Sequence, residues 1–526
     1  MTRPAPRIRD AGDSALLLEF EPVIDAAVNA RAVAVAAQVR AARIPGVRDV
    51  VSTYQAVAVF FDPLTTDYAK VVEALSAAPM PGAGVDGRRI DIPVAYGGEH
   101  GPDLEAVAAW AGLAPEEVVR RHTGAVYRVF MLGFLPGFAY LGAVDSSIAA
   151  PRREEPRLSV PAGSVGIAGA QTGIYPQRSP GGWQLIGRTN AAIFDPTRTP
   201  ASLFAPGDEV RFVDDPERAL ATPEPSTPRM SAMPAAARRS LTVTSPGLLT
   251  TIQDLGRWGR QNVGVPVSGA MDTLSHRVAN ALVGNPADAL TLEATIVGPA
   301  LRLESEMLVA VAGADFQATV DDEELPLNEA RRCRPGSVLR FGECRRGARV
   351  YVACDGGFTE PRHRGIRAGE RLWLGGAAGA PRSVAVAQAA PSGGARLRVL
   401  PGPQEDFFDA AAIDTLQRTR FTITPRSDRM GYRLAGGRIA RADAREMISS
   451  VALTGGVQVP PSGEPILLMA DRQTTGGYPQ IATVISADLP LAGQLAPGDW
   501  IEFAVCTRRE AIDALSAQEA GWRAQV

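Results

Sequence analysis

The sequence of 526 residues predicts a mainly β protein with an N-terminal α+β unit followed by repeated β modules. Three observations carry this prediction. The chain holds Gly 53 and Pro 42 and shows little long helical periodicity, which favours short strands bounded by turns. VPAGSVGIAGAQTGIYPQ (Val160 to Gln177) is echoed by VPPSGEPILLMADRQTTGGYPQ (Val459 to Gln480). PGDEVRF (Pro206 to Phe212) returns as PGSVLRF (Pro335 to Phe341) and PGDWIEF (Pro497 to Phe503), each a tight turn feeding alternating residues into a half-buried strand. The first and third copies follow their Val-Pro blocks by 46 and 38 residues, so two markers recur in one order and a duplicated module explains them better than coincidence.

Residues 1–88 mix apolar strands (ALLLEF, AVAVFF) with helical stretches (AAVNARAVAVAAQVRAAR, YAKVVEALSAA), which gives a small α+β domain. Residues 89–213 open on RRIDIPVAY, pass one predicted helix (DLEAVAAWAGLAPEEVVRRH) and become short β runs that end in PGDEVRF. Residues 214–239, rich in Pro, Ala and small polar groups, read as a linker. Two further β modules follow, 240–395 and 396–526.

Composition excludes several functions. A net charge of -3 and a pI near 6.0 give no footprint for nucleic acid or an anionic membrane. No run approaches the roughly 18 apolar residues of a membrane span and the N-terminus lacks an apolar signal core, so a cytoplasmic protein is expected. Cys333, Cys344, Cys354 and Cys506 have neither zinc-like nor redox-pair spacing and His100, His122, His276 and His363 are scattered, so no metal site is expected from them. Lys70 is the only lysine. A phosphate-binding P-loop, a Ser-Ser-Lys amidase and a biotin carrier each need a lysine in a set place, and none can be encoded here.

Candidate chemistry gathers around the echoed blocks. In YRVFMLGFLPGFAYLGAV (Tyr127 to Val144), glycines such as Gly137 interrupt an aromatic strand, either to make room for packing or to bring backbone close to a ligand. Arg152 and Arg157 precede the first block, and SPGGWQLIGRTN adds Trp183 and Arg188. Without lysines, anions must be held by arginine forks and backbone amides. The second half opens with Gln253, Asp254 and Arg257 among glycines. Asp272 reads first as a helix cap, and Glu293 is an acid in an apolar run, either exposed or buried for a reason. TPRSDRMGYRLAG brings Arg426, Asp428, Arg429, Tyr432 and Arg433 ahead of the second block, where Asp471, Gln473, Thr474, Thr475, Gly476 and Gly477 could offer hydroxyls and amides to an anion or form a polar turn.

These stretches resemble a known family. MLGFLPGFAYL, PRREEPR, VPAGSVGIAGAQTGIYP and SPGGWQLIGRT are similar to the carboxyltransferase-domain proteins once labelled allophanate hydrolase subunit 1. TIQDLGRWGRQNVGVPVSGAMD, ANALVGN, SDRMGYRL and LMADRQTTGGYPQIATVISADL are similar to the companion subunit 2. The chain looks like a fusion of the two proteins described as the B and C components of bacterial ATP-dependent 5-oxoprolinase. The resemblance implies cyclophilin-like β-barrel modules, an active region where the halves meet, ATP with Mg²⁺, a separate 5-oxoprolinase A component, and a lactam or amide as substrate. It leaves a homo-oligomer open. Relatives also include the carboxyltransferase part of urea carboxylase, which works with carboxybiotin, and an inhibitor of a sporulation kinase. With no lysine available for covalent biotin and no biotin carboxylase in the chain, the oxoprolinase reading is preferred.

On these motifs the expected catalytic residues are Asp471, Gln473, Arg429, Tyr478 and Asp254. Substrate or nucleotide contacts are expected from Gly137, Tyr140, Arg152, Arg157, Tyr175, Trp183, Arg188, Arg257, Asp428, Arg433, Thr474, Thr475, Gly476 and Gly477, with no protein metal site. The second echoed copy is expected to be the chemical one, with Tyr175 and Trp183 of the first walling the shared region. One departure stands out: 356–380 is shortened and lacks the Gly-Ser-Arg-Ser-Thr run usual in the companion family, which puts specificity in question.

Overall fold

A computed structural model describes residues 5–77, 87–221, 239–360, 364–376, 380, 382–384, 390–443, 445 and 447–523. The N-terminal domain is a four-stranded antiparallel sheet in the order Arg7–Asp10, Ala15–Glu19, Ala56–Phe61, Val47–Ser52. Asp25 and Asp67 cap its two helices, Ala26–Ala41 and Tyr68–Ser76, by accepting backbone amides of the first turn. Alternation sends Leu16, Leu18, Val57 and Val59 into the helix-facing core, and Leu17, Ala56, Ala58 and Phe60 to the other face. That second face packs on Val451 and Leu453 of the C-terminal module, which is why AVAVFF is apolar throughout. The same contact is polar at its rim, where Asp13 accepts from the Ser486 amide (2.8 Å) and hydroxyl (2.7 Å).

The single helix expected over 103–122 is two, Leu104–Ala111 and Pro115–Thr123. Gly112 ends the first in the left-handed region (φ 65°) and Pro115 starts the second, so local turn chemistry overrides a continuous apolar pattern.

Two closed seven-stranded barrels follow the same circuit. In the first, Arg89–Tyr96 is followed around the wall by Gln184–Arg188, Ser164–Ala168, Gln171–Ile174, Ala139–Gly142, Tyr127–Leu132 and Glu209–Asp214. In the second the matching strands are Gly394–Pro401, Gln480–Val484, Gly456–Gln458, Ile466–Leu468, Gly431–Ala435, Phe421–Ile423 and Trp500–Val505. Each barrel is closed by a parallel pairing, Glu209–Asp214 on Arg89–Tyr96 and Trp500–Val505 on Gly394–Pro401. Each also carries a two-stranded antiparallel ribbon, Arg157–Val160 with Ser179–Gly181 and Ser450–Val451 with Thr475–Gly476.

The module is therefore duplicated, and the Pro-Gly closing strands at 206 and 497 are equivalent, but the Val-Pro echo is out of register. Val160-Pro161 precedes the strand Ser164–Ala168, whereas Val459-Pro460 follows its counterpart Gly456–Gln458. Tyr175 follows a barrel strand, while Tyr478 leads into the next one. The topological match is Gly181-Gly182-Trp183-Gln184 with Gly476-Gly477-Tyr478-Pro479-Gln480, each running from ribbon to barrel wall. Strand pairing tolerates changes in loop length, so equal spacing along the chain does not guarantee equal position in the barrel.

The middle Pro-Gly copy serves a different fold. Val338–Arg340 lies in an open six-stranded sheet, antiparallel to Ala300–Leu303 and Thr319–Val320. That sheet packs on a five-stranded one (Leu249–Gln253, Thr291–Thr295, Arg346–Cys354, Met307–Asp315, Ala330–Cys333) over a shared core that includes Leu241, Leu292, Val309, Leu339 and Val352. Of the proline-rich segment, 222–238 lies outside the described residues, as do 361–363 and 377–379 of the shortened loop.

Candidate functional site at the junction of the two halves

Three loops from distant parts of the chain converge. The 133–138 turn of the first barrel meets the 469–478 loop of the second through Thr475, whose hydroxyl accepts from the Phe134 amide at 3.0 Å and stands close enough to the Tyr140 side chain to oppose the rise of its pKa on burial. Gly133 is required by this approach, because a Cβ there would stand 2.1 Å from Thr475 Oγ1. The 254–271 loop wedges beside both: the Gly137 amide donates to Val263 (2.8 Å), and the Ser268 amide donates to Ala470 (3.1 Å). Phe134 (φ 65°) and Ser268 (φ 57°) both sit in the left-handed region, so strained backbone flanks the loop from two sides.

Within this junction Arg429, 7% exposed, is heavily engaged. Its Nε and Nη2 grip Asp471 (2.8 and 3.2 Å), Nη2 donates to the Gly269 carbonyl (2.7 Å), and Nη1 bonds Glu293. Glu293, 1% exposed, also accepts from the Tyr351 hydroxyl (2.7 Å) and the Met271 amide (2.9 Å). The acid in the apolar strand is thus buried for a reason. It belongs to the two-sheet unit and anchors an arginine of the second barrel.

Burial pushes the Asp471 carboxyl up, but the Arg429 charge and hydrogen bonds, the Ser268 hydroxyl and the Arg257 charge outweigh it and hold the group below its ordinary value. Glu293 and Asp471 likewise outweigh burial and raise the Arg429 pKa. Asp471 keeps a third of its side chain exposed while Arg429 is nearly enclosed. The pair therefore presents an ionised carboxylate, with the arginine as its holder. His276 lies near by, but burial lowers its pKa to about 4 and keeps it neutral.

The equivalent loops of the first barrel carry rings. Phe138 packs edge-on against Tyr140, Tyr175 and Trp183, and Tyr54 of the N-terminal domain joins Tyr140 at 6.0 Å and receives a 2.6 Å hydrogen bond from Gln171. Burial raises the pKa of Tyr140 and takes Tyr175 to about 12, so both stay protonated. Exposed Arg152 acts on all three tyrosines through its charge.

The structure forms two groups joined by the 469–478 loop: Asp471 with Arg429 and Arg257, and Thr475 with Tyr140, Tyr175, Trp183 and Arg152. Gln473 is half-buried on the same loop, Thr474 is enclosed, Gly476 lies in the ribbon, and Gly477 and Tyr478 are exposed. Others are spent locally. Asp254 accepts from Gly256 (2.7 Å) and Asp428 from Met430 (2.8 Å), each closing its own turn. Arg157 pairs with Asp103 (2.7 Å), Gly137 serves the junction only through its backbone amide while its α-carbon packs on Phe194, and Arg433 lies on the outer face of its strand between inward Tyr432 and Leu434. Arg188 donates to Ala162 (3.1 Å) at the end of its strand away from Trp183. Asp272 is the helix cap, bonded to Leu274, Ser275 and Gln494. A separate cavity of about 330 Å³, lined by Asp272, Ser275, Asp315, Asn328, Arg346 and Gln494 among others, lies between the two-sheet unit and the second barrel.

Sequence reading missed Ser268, Tyr54, Gln261 and Arg472. Arg472 was visible inside DRQTTGG, but nothing local distinguishes it from a surface arginine.

Fold and junction define a class: a two-half protein in which a loop of the first barrel meets, at Thr475, the second-barrel loop that also carries an ionised, arginine-held carboxylate. Carboxyltransferase domain, subdomain C and D, matches residues 6–204, and carboxyltransferase domain, subdomain A and B, matches residues 263–505. The chain belongs to this carboxyltransferase-domain family, with both parts fused in one polypeptide. Its N-terminal part is 44% identical over 220 residues to the B component of 5-oxoprolinase from Bacillus subtilis (strain 168), covering 39% of this chain and 92% of that one. Its C-terminal part is 36% identical over 298 residues to the C component of 5-oxoprolinase from Escherichia coli (strain K12), covering 53% and 95%. The crystal structure of TTHA0988 superposes with a TM-score of 0.83 at 36% identity, covering 95% of this chain and 100% of that one. Among the described residues no helix is long and apolar enough to cross a membrane.

Proposed function

We propose that this chain is the combined B- and C-type component of an ATP-dependent 5-oxoprolinase, opening the lactam 5-oxo-L-proline to L-glutamate with a separate A-type component. The observation that carries this reading is the contact of Tyr140 and Phe134 with Thr475, which joins the B-type and C-type parts at one set of polar groups.

A lactam carbonyl is a poor electrophile, and ATP with Mg²⁺ supplies, when bound, the phosphoryl group that activates its oxygen. Among the described residues no group of three His, Cys, Asp or Glu side chains is placed to hold a metal ion. Asp471 offers one ionised carboxylate, which suits Mg²⁺, since that ion commonly takes one or two carboxylates beside nucleotide phosphates and water. In this reading Asp471 accepts a proton or hydrogen bond from the lactam N–H or attacking water. Thr475, Tyr140 and Gln473 orient the ring, and Arg152 draws the substrate carboxylate. Aromatic surface around Tyr175 and Trp183 keeps water from that side.

The test is turnover of purified protein with ATP and 5-oxo-L-proline, with and without an A-type component from the same genome. Glutamate and substrate-dependent ADP are expected in the complete mixture. No glutamate and no substrate-dependent ATP consumption in either mixture overturns the reading, and carboxyl transfer from carboxybiotin to urea would replace it with the urea-carboxylase type.

A further inference from the structure

The loop bearing Asp471 and Thr475 is tied to the N-terminal domain by a line of buried polar contacts. Asp49, 6% exposed in strand Val47–Ser52, accepts from the amides of Gly259 (3.1 Å) and Gln261 (3.0 Å). Gln261 is fully enclosed, and its Oε1 accepts from Arg472 Nη2 at 2.7 Å. Arg472, 1% exposed, donates from Nε to the Ala452 carbonyl at 3.0 Å, and Ala452 in turn donates its amide to the Thr474 carbonyl at 3.0 Å. One chain of contacts thus runs from the first half's sheet, through the opening loop of the second half, to the residues that flank the junction.

Arg472 is an expensive way to fill this space. Its partners are a neutral amide and a carbonyl, and its Nη1 has no hydrogen-bond partner among the described residues. Burial without a close carboxylate lowers its pKa to about 10, and Asp49 is the charge that opposes this. An apolar side chain of similar length would pack there at less cost. What the guanidinium adds is direction: its plane fixes Ala452 and Gln261 at once, and so fixes the backbone between Asp471 and Thr475.

We propose that Arg472 is a positioning residue for the junction site, and that Asp49 and Gln261 form with it a relay by which the N-terminal α+β domain holds the 469–476 loop in its working geometry. The proposal rests on the site reading above. It gives that domain a task beyond covering the second barrel.

The experiment compares the full chain with Arg472→Met, Gln261→Met and Asp49→Asn, singly and with Asp49→Asn combined with Arg472→Met. Steady-state kinetics with ATP and 5-oxo-L-proline are read beside amide hydrogen exchange of 469–476. Arg472→Met is expected to lower kcat about 100-fold with KM little changed, as for a displaced catalytic group, and to speed exchange in the loop. Asp49→Asn, whose side chain can still accept the two amides, should speed exchange in the same loop, and its effect should not multiply with that of Arg472→Met. Trp258, ringed by Phe60 (6.2 Å) and Arg48 (5.3 Å), reports by fluorescence whether the domain itself has come away. Loop exchange unchanged in Arg472→Met and Gln261→Met, or fully multiplicative effects of the distant pair, overturns the relay. A wild-type chain without turnover removes the functional reading instead, while the exchange comparison still decides the relay. If Arg472→Met does not fold, Gln261→Met and Asp49→Asn carry the same comparison.

Discussion

Glu293→Gln is the most direct probe of how the two-sheet unit holds the second barrel. The carboxylate is 1% exposed, and all three of its hydrogen-bond partners are donors: the Arg429 guanidinium, the Tyr351 hydroxyl and the Met271 amide. A glutamine keeps the shape, but one of its ends becomes a donor and must oppose a donor. The buried guanidinium also loses one of its two counter-charges, leaving Asp471 alone. Breaking a buried ion pair from one side costs about 3–5 kcal/mol. Tyr351→Phe spares the ion pair and removes one donor, so its loss should be smaller, about 1–3 kcal/mol. Urea unfolding followed by near-ultraviolet dichroism, with hydrogen exchange at 291–295 as a local readout, measures both. Turnover should fall in Glu293→Gln because Arg429 is no longer fixed against Asp471. A stability change below about 1 kcal/mol with unchanged kcat would refute the argument that Glu293 anchors the arginine.

Other expectations follow from the same geometry. Burial raises the Asp13 pKa above its ordinary 3.8, so its favourable contribution is complete below that value and is lost as pH rises through the higher folded one. The docking that buries Asp13 should therefore be favoured as pH falls from 7 toward 4, against the Ser486 hydrogen bonds, which favour the ionised form; exchange in 10–20 reads this, and Asp13→Asn should flatten the dependence, an identical slope in the variant contradicting it. Gly133→Ala places a methyl 2.1 Å from Thr475 Oγ1 and should cost about 1–3 kcal/mol at the junction, with partial recovery when Thr475→Ala is added, both measured by thermal unfolding. Arg152→Ala should raise KM for the carboxylate substrate about tenfold or more while kcat changes little; an unchanged KM removes Arg152 from the site.

Local rules made much of the fold legible. Apolar runs marked two strands of the first sheet, Asp272 read as a helix cap, and the Pro-Gly turns at 206 and 497 marked two equivalent closing strands. They misled where tertiary pairing decides. The Pro-Gly turn at 335 has the same chemistry and enters an open sheet, and the Val-Pro echo looks like an aligned pair while occupying different places in the two barrels. The site was legible to the same degree. DRQTTGG and SDRMG signalled polar loops, but which arginine holds which acid was not written in either motif.

By itself the sequence determined a lysine-poor, mainly β chain of two related halves, the excluded chemistries, and the loops worth suspecting. Tertiary structure decided that Arg429 is the arginine that grips Asp471, that Glu293 anchors it, and that Arg433, Asp428 and Arg188 look elsewhere. The reason is range: turns and strand alternation are set by neighbours within a few residues, whereas Gly133 and Thr475, and likewise Ser268, Glu293, Arg429 and Asp471, meet only because barrel closure and sheet packing bring them there.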